Sequence, residues 1–378
     1  METEKKDKLF SFTHILLGCR LDAWLHLLAQ NHFRILPRRI PQALLITAAS
    51  LILFPFALIE RLLLAVPVSR QRPREPLFIM GHWRSGTTFL INLLSRDPRF
   101  GFFTPVTTIT GNNALLFRPI LTRAQKRVLP GARPMDNLEY RADLPMEEIY
   151  AVANSSTLAL VHMLSFPRRA QRYLDTAFVE TLPEKDRRRW EKLYCYAISR
   201  QTLFTKGKPL VLKSPDNTCR AALLHRLYPD ARFLHIYRDP YAVIPSTINM
   251  FCKMMGMMTF QKAPSREYME DAIIDVFRRV YQTWLADLRR LPPERVMEIR
   301  YEDFEKTPLE HLREIYKTLG LPDFQEAELC FSRYLDEQAS YRKNSFTLSP
   351  ELIKKINQNL GFYFEHYGYP MRSTPSEV

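Results

Sequence analysis

The sequence predicts an α/β protein in which helices flank a mainly parallel sheet, preceded by an apolar N-terminal helical segment. Short apolar strands alternate with helices along most of the chain. Strands in such an order pair in parallel through right-handed crossovers. An apolar run at residues 40–68 predicts the N-terminal segment. Because ligands of parallel sheets bind at the carboxyl ends of the strands, we expect the functional residues there.

The N-terminal region predicts an amphipathic helix at residues 21–28, followed by the apolar run at 40–68. About twenty apolar residues can span a hydrocarbon core of ~30 Å. However, Pro55 interrupts the run and arginines flank both of its ends, which favours attachment to one face of a membrane. A buried helical hairpin is the alternative. We therefore divide the chain into a membrane-associated segment, residues 1–74, and a single domain, residues 75–378.

The strand Leu77–Met80 leads through a glycine-bearing turn into a helix that begins near Gly86. Such a strand–turn–helix offers backbone N–H groups and the positive end of a helix dipole to an anion. Gly81 and Gly86 have P-loop spacing, but Thr87 replaces the lysine that an NTPase requires. Arg84 provides the cation instead. This P-loop-like turn therefore suits one terminal phosphate, and its composition disfavours a turn that binds nothing.

Further strands are predicted at residues 209–213, 231–237 and 296–300, each followed by a helix. Before them, the pattern predicts an apolar helix that ends at residue 164 and a charged helical stretch at 166–204.

A second candidate anion site follows the strand at residues 231–237. Arg238 stands at its end, and Ser246 lies eight residues later within the next helix. At that spacing a guanidinium and a hydroxyl lie close enough to bind the same phosphate.

These residues resemble the sulfotransferases that use 3′-phosphoadenosine-5′-phosphosulfate (PAPS), in particular their bacterial-type branch. That family's 5′-phosphosulfate loop reads Lys or Arg, any residue, Gly, Thr, Thr, which residues 84–88 match. Its 3′-phosphate site is an Arg at a strand end and a Ser eight positions later, as in Arg238 and Ser246. The resemblance covers residues 75–370.

The resemblance implies a donor site with two anchors. The expected 5′-phosphosulfate ligands are Arg84, Ser85, Gly86, Thr87 and Thr88. Arg238 and Ser246 would hold the 3′-phosphate. Lys213, at a strand end, would stabilise the charge that grows as the sulfate leaves, with a solvated lysine as the alternative. Residues 341–349 loosely resemble a loop near the C-terminus of the family that closes over the nucleotide. This match adds Arg342 and Lys343 as candidate ligands.

The acceptor hydroxyl needs a general base. Asp143, Glu147 and Glu148 form an Asp-x-Pro-x-Glu-Glu pattern that resembles a recurring element of the bacterial-type relatives. Our hypothesis for the base is Glu147, with His82 of the loop as the second choice. Helix capping is the alternative interpretation of all three acids.

The sequence therefore predicts in-line sulfuryl transfer from PAPS to a hydroxyl acceptor without a metal, with Arg84, Lys213 and Glu147 as catalytic residues. Methionines crowd residues 250–258, which indicates a lipophilic alcohol, although a glycan stays open. A kinase-like phosphotransferase would need the missing P-loop lysine and a magnesium carboxylate. A non-catalytic membrane-associated nucleotide-binding protein is the third interpretation.

Composition limits the partners and the compartment. Lys and Arg number 54 against 40 Asp and Glu, which suits either nucleic acid or a polyanionic ligand at an anionic membrane. The sequence has no zinc spacing, basic low-complexity tail or interleaved basic and aromatic platform, so we favour the second. Five widely spaced cysteines predict free thiols in a reducing compartment. We expect a cytoplasmic protein associated with the cytoplasmic face of a membrane.

Overall fold

The computed structural model describes residues 13–129, 131–132, 139–338 and 344–374. Within them are six strands, numbered in chain order: β1 Leu77–Met80, β2 Gly131–Ala132, β3 Glu139–Tyr140, β4 Val211–Lys213, β5 Arg232–Tyr237 and β6 Val296–Arg300. Four of them form a parallel sheet in the order β4-β1-β5-β6, and β2 pairs with β3 in a separate antiparallel ribbon. The predicted α/β class is confirmed.

The main sheet brings its strand ends to one edge. Phe78 in the middle of β1 pairs with Leu212 of β4 on one side and with Phe233 of β5 on the other. All four residues of β1 are buried, as expected for a parallel strand covered on both faces. The β1 and β6 bounds agree with the prediction, whereas β4 and β5 each begin later.

Helices cover both faces of the sheet. In the described part of the chain the α-helices, numbered α1 to α15 in chain order, are Leu21–Gln30, Ile40–Ser69, Thr87–Leu94, Pro105–Thr108, Arg118–Val128, Ile149–Ala153, Ala170–Leu174, Glu184–Phe204, Ala221–Leu227, Pro240–Met258, Arg266–Leu288, Tyr301–Lys306, Pro308–Thr318, Phe324–Gln338 and Pro350–Tyr367. Short 3₁₀ turns connect several of them.

The two helices predicted before residue 204 are shorter than expected. The apolar stretch forms α6, which ends at Ala153, and then a 3₁₀ turn at Leu160–Leu164. Between these turns the Ser156 hydroxyl donates to the Val152 carbonyl and accepts from the Leu158 N–H. Such local side-chain bonds compete with the helix ladder. The charged stretch contains the short helix α7 and becomes a long α-helix only after Pro183, where α8 begins.

The apolar run forms one continuous helix, α2, rather than a hairpin. Eleven large apolar side chains on it are exposed: Ile40, Leu44, Leu51, Ile52, Phe54, Phe56, Leu58, Ile59, Leu62, Leu63 and Val66. In the described part of the chain, the helical stretch Pro37–Ser69 is long and apolar enough to cross a membrane, judged by length and composition only. Just 22% of its most apolar 18-residue window is buried, unlike a soluble core helix.

The N-terminal helices are nevertheless anchored in the protein core. Trp24 of α1 is fully buried and belongs to the same apolar cluster as Phe78 of the central strand. Its indole N–H donates to the Thr47 hydroxyl of α2 at 2.9 Å. Near the other end of α2, buried Glu60 forms an ion pair with Arg200 of α8. The division at residue 74 stays a prediction, and side chains from both sides of it share one core.

Candidate active site

The loop between β1 and α3 has backbone positions that favour glycine. Gly81 has a φ of 143°, and a Cβ there would lie 2.5 Å from the Ile236 carbonyl oxygen. Gly86 has a φ of 105°, and a Cβ there would overlap the Tyr301 ring. Side chains at these positions would be strained in conformation and would clash. The two glycines therefore let the loop pack tightly against β5 and the start of α12.

Internal hydrogen bonds shape the loop. The Ser85 hydroxyl and N–H both donate to the His82 carbonyl, at 2.8 and 3.2 Å. The Gly81 N–H donates to the Thr218 hydroxyl at 2.8 Å. Ser85 is fully buried, so its hydroxyl shapes the loop, whereas the sequence predicted it as a phosphosulfate ligand.

The start of α3 provides the expected donors for an anion. The first N–H groups of an α-helix have no intrahelical partner and lie at the positive end of the helix dipole. Here those positions are Thr87 and Thr88, directly after Gly86. The loop therefore presents backbone N–H groups to the space above β1, and Thr87 and Thr88 line that space.

The structure brings the two predicted anchors into direct contact. The Arg84 Nε donates to the Ser246 hydroxyl at 2.9 Å. Arg238 donates from Nη1 to the Arg84 carbonyl at 3.2 Å, and its guanidinium lies 4.2 Å from the centre of the Tyr301 ring. Arg84 has a φ of 69°, a conformation that persists in a non-glycine residue where its surroundings determine it. Arg84, Arg238 and Ser246 thus form one basic cluster.

A cleft adjoins this cluster. Its lining combines predicted and unpredicted residues, among them Trp83, Arg84, Gly86, Thr87, Thr88, Glu147, Pro215, Arg238, Met250, Tyr301 and Tyr334. We call it the donor cleft. The sequence reasoning missed Tyr301, although its position directly after β6 could have indicated it by the same strand-end rule that selected Lys213 and Arg238.

Lys213 and Glu147 form an ion pair at the wall of the donor cleft. The Lys213 Nζ lies 2.6 Å from the Glu147 Oε1, and both side chains are largely shielded from solvent. A charge-assisted bond this short is strong and well oriented. The solvated lysine considered from the sequence is wrong, since the Lys213 side chain is 4% exposed.

Glu148 points the other way, into the protein. Its carboxylate accepts hydrogen bonds from the Tyr194 hydroxyl at 3.1 Å, from Asn217 Nδ2 at 2.5 Å and from the Lys213 N–H at 3.1 Å. Burial raises its pKa. These bonds connect the start of α6 to α8 and to the end of β4. Glu148 therefore stabilises the fold at this point.

The other two base candidates also lie outside the donor cleft. Asp143 is exposed and bonds to Arg141 at 3.1 Å. His82 is fully buried, and burial lowers its pKa to about 4. Its Nδ1 lies 2.9 Å from the Trp83 carbonyl, which makes Nδ1–H the donor, and Nε2 has no partner among the described residues.

Two further predictions concern ligands. Arg342 and Lys343 lie outside the described residues. Within the described ranges, no group of three or more His, Cys, Asp or Glu side chains could hold a metal ion.

Comparison with known proteins identifies the family of this fold and site. The model of the sulfotransferase family matches residues 76–326. The chain belongs to the sulfotransferase family. The match spans β1, the loop, β4, β5 and β6, and it supports sulfuryl transfer as the activity.

Named relatives of this sulfotransferase-family chain are mycobacterial. The Mycobacterium bovis protein named omega-hydroxy-beta-dihydromenaquinone-9 sulfotransferase Stf3 is 29% identical over 363 residues, which cover 95% of this chain and 92% of that protein. The crystal structure of sulfotransferase STF9 from Mycobacterium avium has a TM-score of 0.67 at 18% identity, covering 94% and 98% of the two chains. That of STF1 from Mycobacterium tuberculosis has a TM-score of 0.65 at 15% identity, covering 89% and 92%. The two crystal structures share the fold.

Gly86→Ala should destabilise the protein and distort the loop, because the added methyl group meets the Tyr301 ring in a backbone conformation unfavourable to alanine. We expect a loss of about 1–3 kcal/mol of unfolding free energy, measured by urea unfolding. Gly256→Ala is the matched control, since the helical Gly256 has open space around it. Equal stability of the two variants would contradict the close-approach interpretation.

Proposed function

We propose that this protein transfers a sulfuryl group from PAPS to the hydroxyl group of a lipophilic alcohol. The main observation in support is the direct contact between Arg84 of the loop and Ser246 of the second anchor. Arg238 is hydrogen-bonded to the same loop. Two anion sites side by side fit a nucleotide with phosphate groups at both its 5′ and 3′ ends. The missing P-loop lysine disfavours the kinase-like alternative.

The residues present fit such a donor. The two glycines hold the loop against β5 and α12, and the start of α3 supplies N–H donors for a phosphosulfate. Arg238 offers a planar guanidinium, which binds phosphate through two parallel bonds. PAPS supplies the sulfuryl group that is transferred. The chain's own residues hold its two ends and fix the direction of transfer.

Glu147 and Lys213 have complementary roles in the proposed reaction. Glu147 accepts the proton of the acceptor hydroxyl as that oxygen bonds to sulfur. Lys213 and Arg84 stabilise the negative charge left on the 5′-phosphate oxygen when its bond to sulfur breaks. The products are a sulfate ester and adenosine 3′,5′-bisphosphate. The Glu147 and Lys213 side chains contact each other at 2.6 Å. The proposed base and the proposed charge stabiliser therefore adjoin the same reacting atoms.

His82 is the second candidate for the base. Its Nδ1–H bonds to the Trp83 carbonyl, which leaves the Nε2 lone pair available. However, it lines a different cleft from the loop's donor face, whereas Glu147 lines the donor cleft. We therefore assign the base to Glu147 and a shaping role to His82.

The acceptor's apolar part has a suitable place beside Trp83. A second cleft is lined almost entirely by apolar side chains, including Trp83, Met163, Phe251, Met255, Met269 and Ile273. Trp83 lines both this cleft and the donor cleft. Methionine-rich walls adapt to irregular apolar ligands. The name of the Stf3 relative, which specifies a hydroxylated menaquinone, supports the same acceptor class.

Membrane attachment through α2 would deliver such an acceptor. The exposed apolar face of α2 continues onto α5, because Phe56 and Phe117 pack edge to face at 5.1 Å. Leu116 and Ile120 beside them are also exposed. An apolar face bordered by basic residues suits an anionic bilayer surface. All five cysteines are free thiols, which supports a location on the cytoplasmic face.

Arg238→Ala should weaken PAPS binding by about 10- to 150-fold, which corresponds to about 1.5–3 kcal/mol for a bond to a charged group. Adenosine 5′-phosphosulfate lacks the 3′-phosphate, so its affinity should change little. Calorimetric titration of both ligands checks the assignment. Equal losses for the two ligands would exclude Arg238 as the 3′-phosphate anchor.

Lys213→Ala should lower kcat about 10²-fold or more, the scale of a lost charge stabiliser, with a modest change in donor affinity. Glu147→Gln should also lower kcat, because the amide cannot accept the proton. Single-turnover transfer of radiolabelled sulfate from PAPS across a panel of alcohols measures both effects. Normal turnover by either variant would remove that residue from the mechanism, and loss of activity in His82→Gln alone would reassign the base.

Replacing Leu51, Ile52, Leu62 and Leu63 with glutamine should release the protein from anionic vesicles. These side chains are 60–70% exposed, so their replacement removes apolar contact with a bilayer and leaves the core unchanged. Vesicle flotation measures the attachment, and urea unfolding checks the fold. Activity on a water-soluble alcohol should persist, whereas activity on a vesicle-borne alcohol should fall. Undiminished flotation would refute attachment through α2.

A further inference from the structure

Helix α2 stands away from the protein body along its middle. Its buried residues are Gln42, Ala43, Ile46, Ser50, Glu60 and Val68. None of them lies between residues 51 and 59, where the helix crosses a cleft. This α2 cleft is lined on the helix side by Leu53, Phe54, Ala57 and Leu58 and on the α8 side by Lys192 and Tyr196. It is separate from the donor cleft and from the apolar cleft beside Trp83.

The rim of the α2 cleft carries excess positive charge. Among its lining residues, Glu60 is matched by Arg200, and it also accepts the N–H groups of Leu115 and Leu116. The remaining lining cations include Arg61 and Lys192, both exposed. In the described part of the chain, neither lies within 4.0 Å of a carboxylate. The cleft therefore favours an anionic occupant.

Two polar atoms in the wall lack a hydrogen-bond partner among the described residues. They are the Ser50 hydroxyl oxygen and the Asn113 Oδ1, in side chains that are 1% and 2% exposed. Both residues line the α2 cleft. An unsatisfied buried polar group is costly and rare in native proteins. Both atoms are buried behind the surface of the cleft, however, so an occupant of the cleft does not contact them.

We propose that the α2 cleft binds one anionic glycerophospholipid of the membrane. An acyl chain lies under the middle of α2, and the phosphate is attracted by Arg61 and Lys192. This inference rests on the proposed attachment of α2 to a bilayer. The bound lipid would fill the space between α2 and α8 and would hold the protein in one orientation on the membrane.

Native mass spectrometry of the full-length chain tests this site. The protein is incorporated into nanodiscs of phosphatidylcholine with one-tenth phosphatidylglycerol and then released in a mild detergent. We expect one retained phosphatidylglycerol, enriched about tenfold over its share of the bilayer. Ala57→Trp fills the cleft and should abolish retention. Ala65→Trp, on the exposed side of the same helix, should preserve it and is the matched control.

Two double variants that remove the same charge distinguish a specific lipid site from general attraction to an anionic surface. Arg61→Gln with Lys192→Gln should lower retention about tenfold, while Arg70→Gln with Arg74→Gln removes equal charge outside the cleft and should leave retention intact. Equal losses in the two double variants would overturn the proposal. Retention of phosphatidylcholine without enrichment would also overturn it, as would full displacement by inorganic phosphate, which would indicate an ion site.

Folding and attachment are measured on the same samples. If Ala57→Trp lowers the unfolding midpoint, the smaller Ala57→Leu replaces it and should reduce retention in the same direction. Flotation of the wild-type chain without a retained lipid would overturn the lipid site alone. Failure of the wild-type chain to float would overturn the membrane attachment together with this inference.

Discussion

The close approach of the loop to β5 and α12 is the constraint on which the active site depends. Gly81 faces the Ile236 carbonyl and Gly86 faces the Tyr301 ring, so the loop can take this path only without side chains there. The same Tyr301 ring supports the Arg238 guanidinium. Three parallel strands thus fix three parts of the site relative to one another: β1 the loop, β5 the second anchor and β6 the aromatic support.

Adjacent residues with the same chemistry have opposite roles at the end of β4. Glu148 accepts three hydrogen bonds from the protein interior and holds α6 in place, while Glu147 pairs with Lys213 at the donor cleft. The interior bonds of Glu148 therefore determine where Glu147 lies. Under the proposed function, the catalytic carboxylate is positioned by a structural one directly beside it in the chain.

The sequence correctly predicted features that depend on a short local pattern of residues. The strand β1 and the glycine spacing depend on short segments, and the structure places them as expected. The binding of one phosphate by Arg238 and Ser246 stays a prediction, and in the structure Ser246 bonds to Arg84. The sequence could not predict that Glu148 is buried, because that depends on partners far along the chain. The Ser85 hydroxyl bonds to a carbonyl only three residues away, but a motif match does not encode the direction of a side chain. The length of α6 was wrong for a local reason, since Ser156 bonds to neighbouring backbone groups. The lifted middle of α2 depends on where its two ends are anchored, which hydropathy does not encode.

The contact between Arg84 and Ser246 has a consequence for product release. Under the proposed function, the 3′-phosphate is present on the donor before transfer and on the adenosine bisphosphate after it. Arg238 and Ser246 therefore hold substrate and product equally, and such uniform binding does not lower the barrier of the chemical step. Only the loop can distinguish substrate from product, because the sulfuryl group that it holds is lost in the reaction. Because Arg84 links the loop to Ser246, a rearrangement of that one side chain after transfer would loosen both ends of the spent nucleotide together.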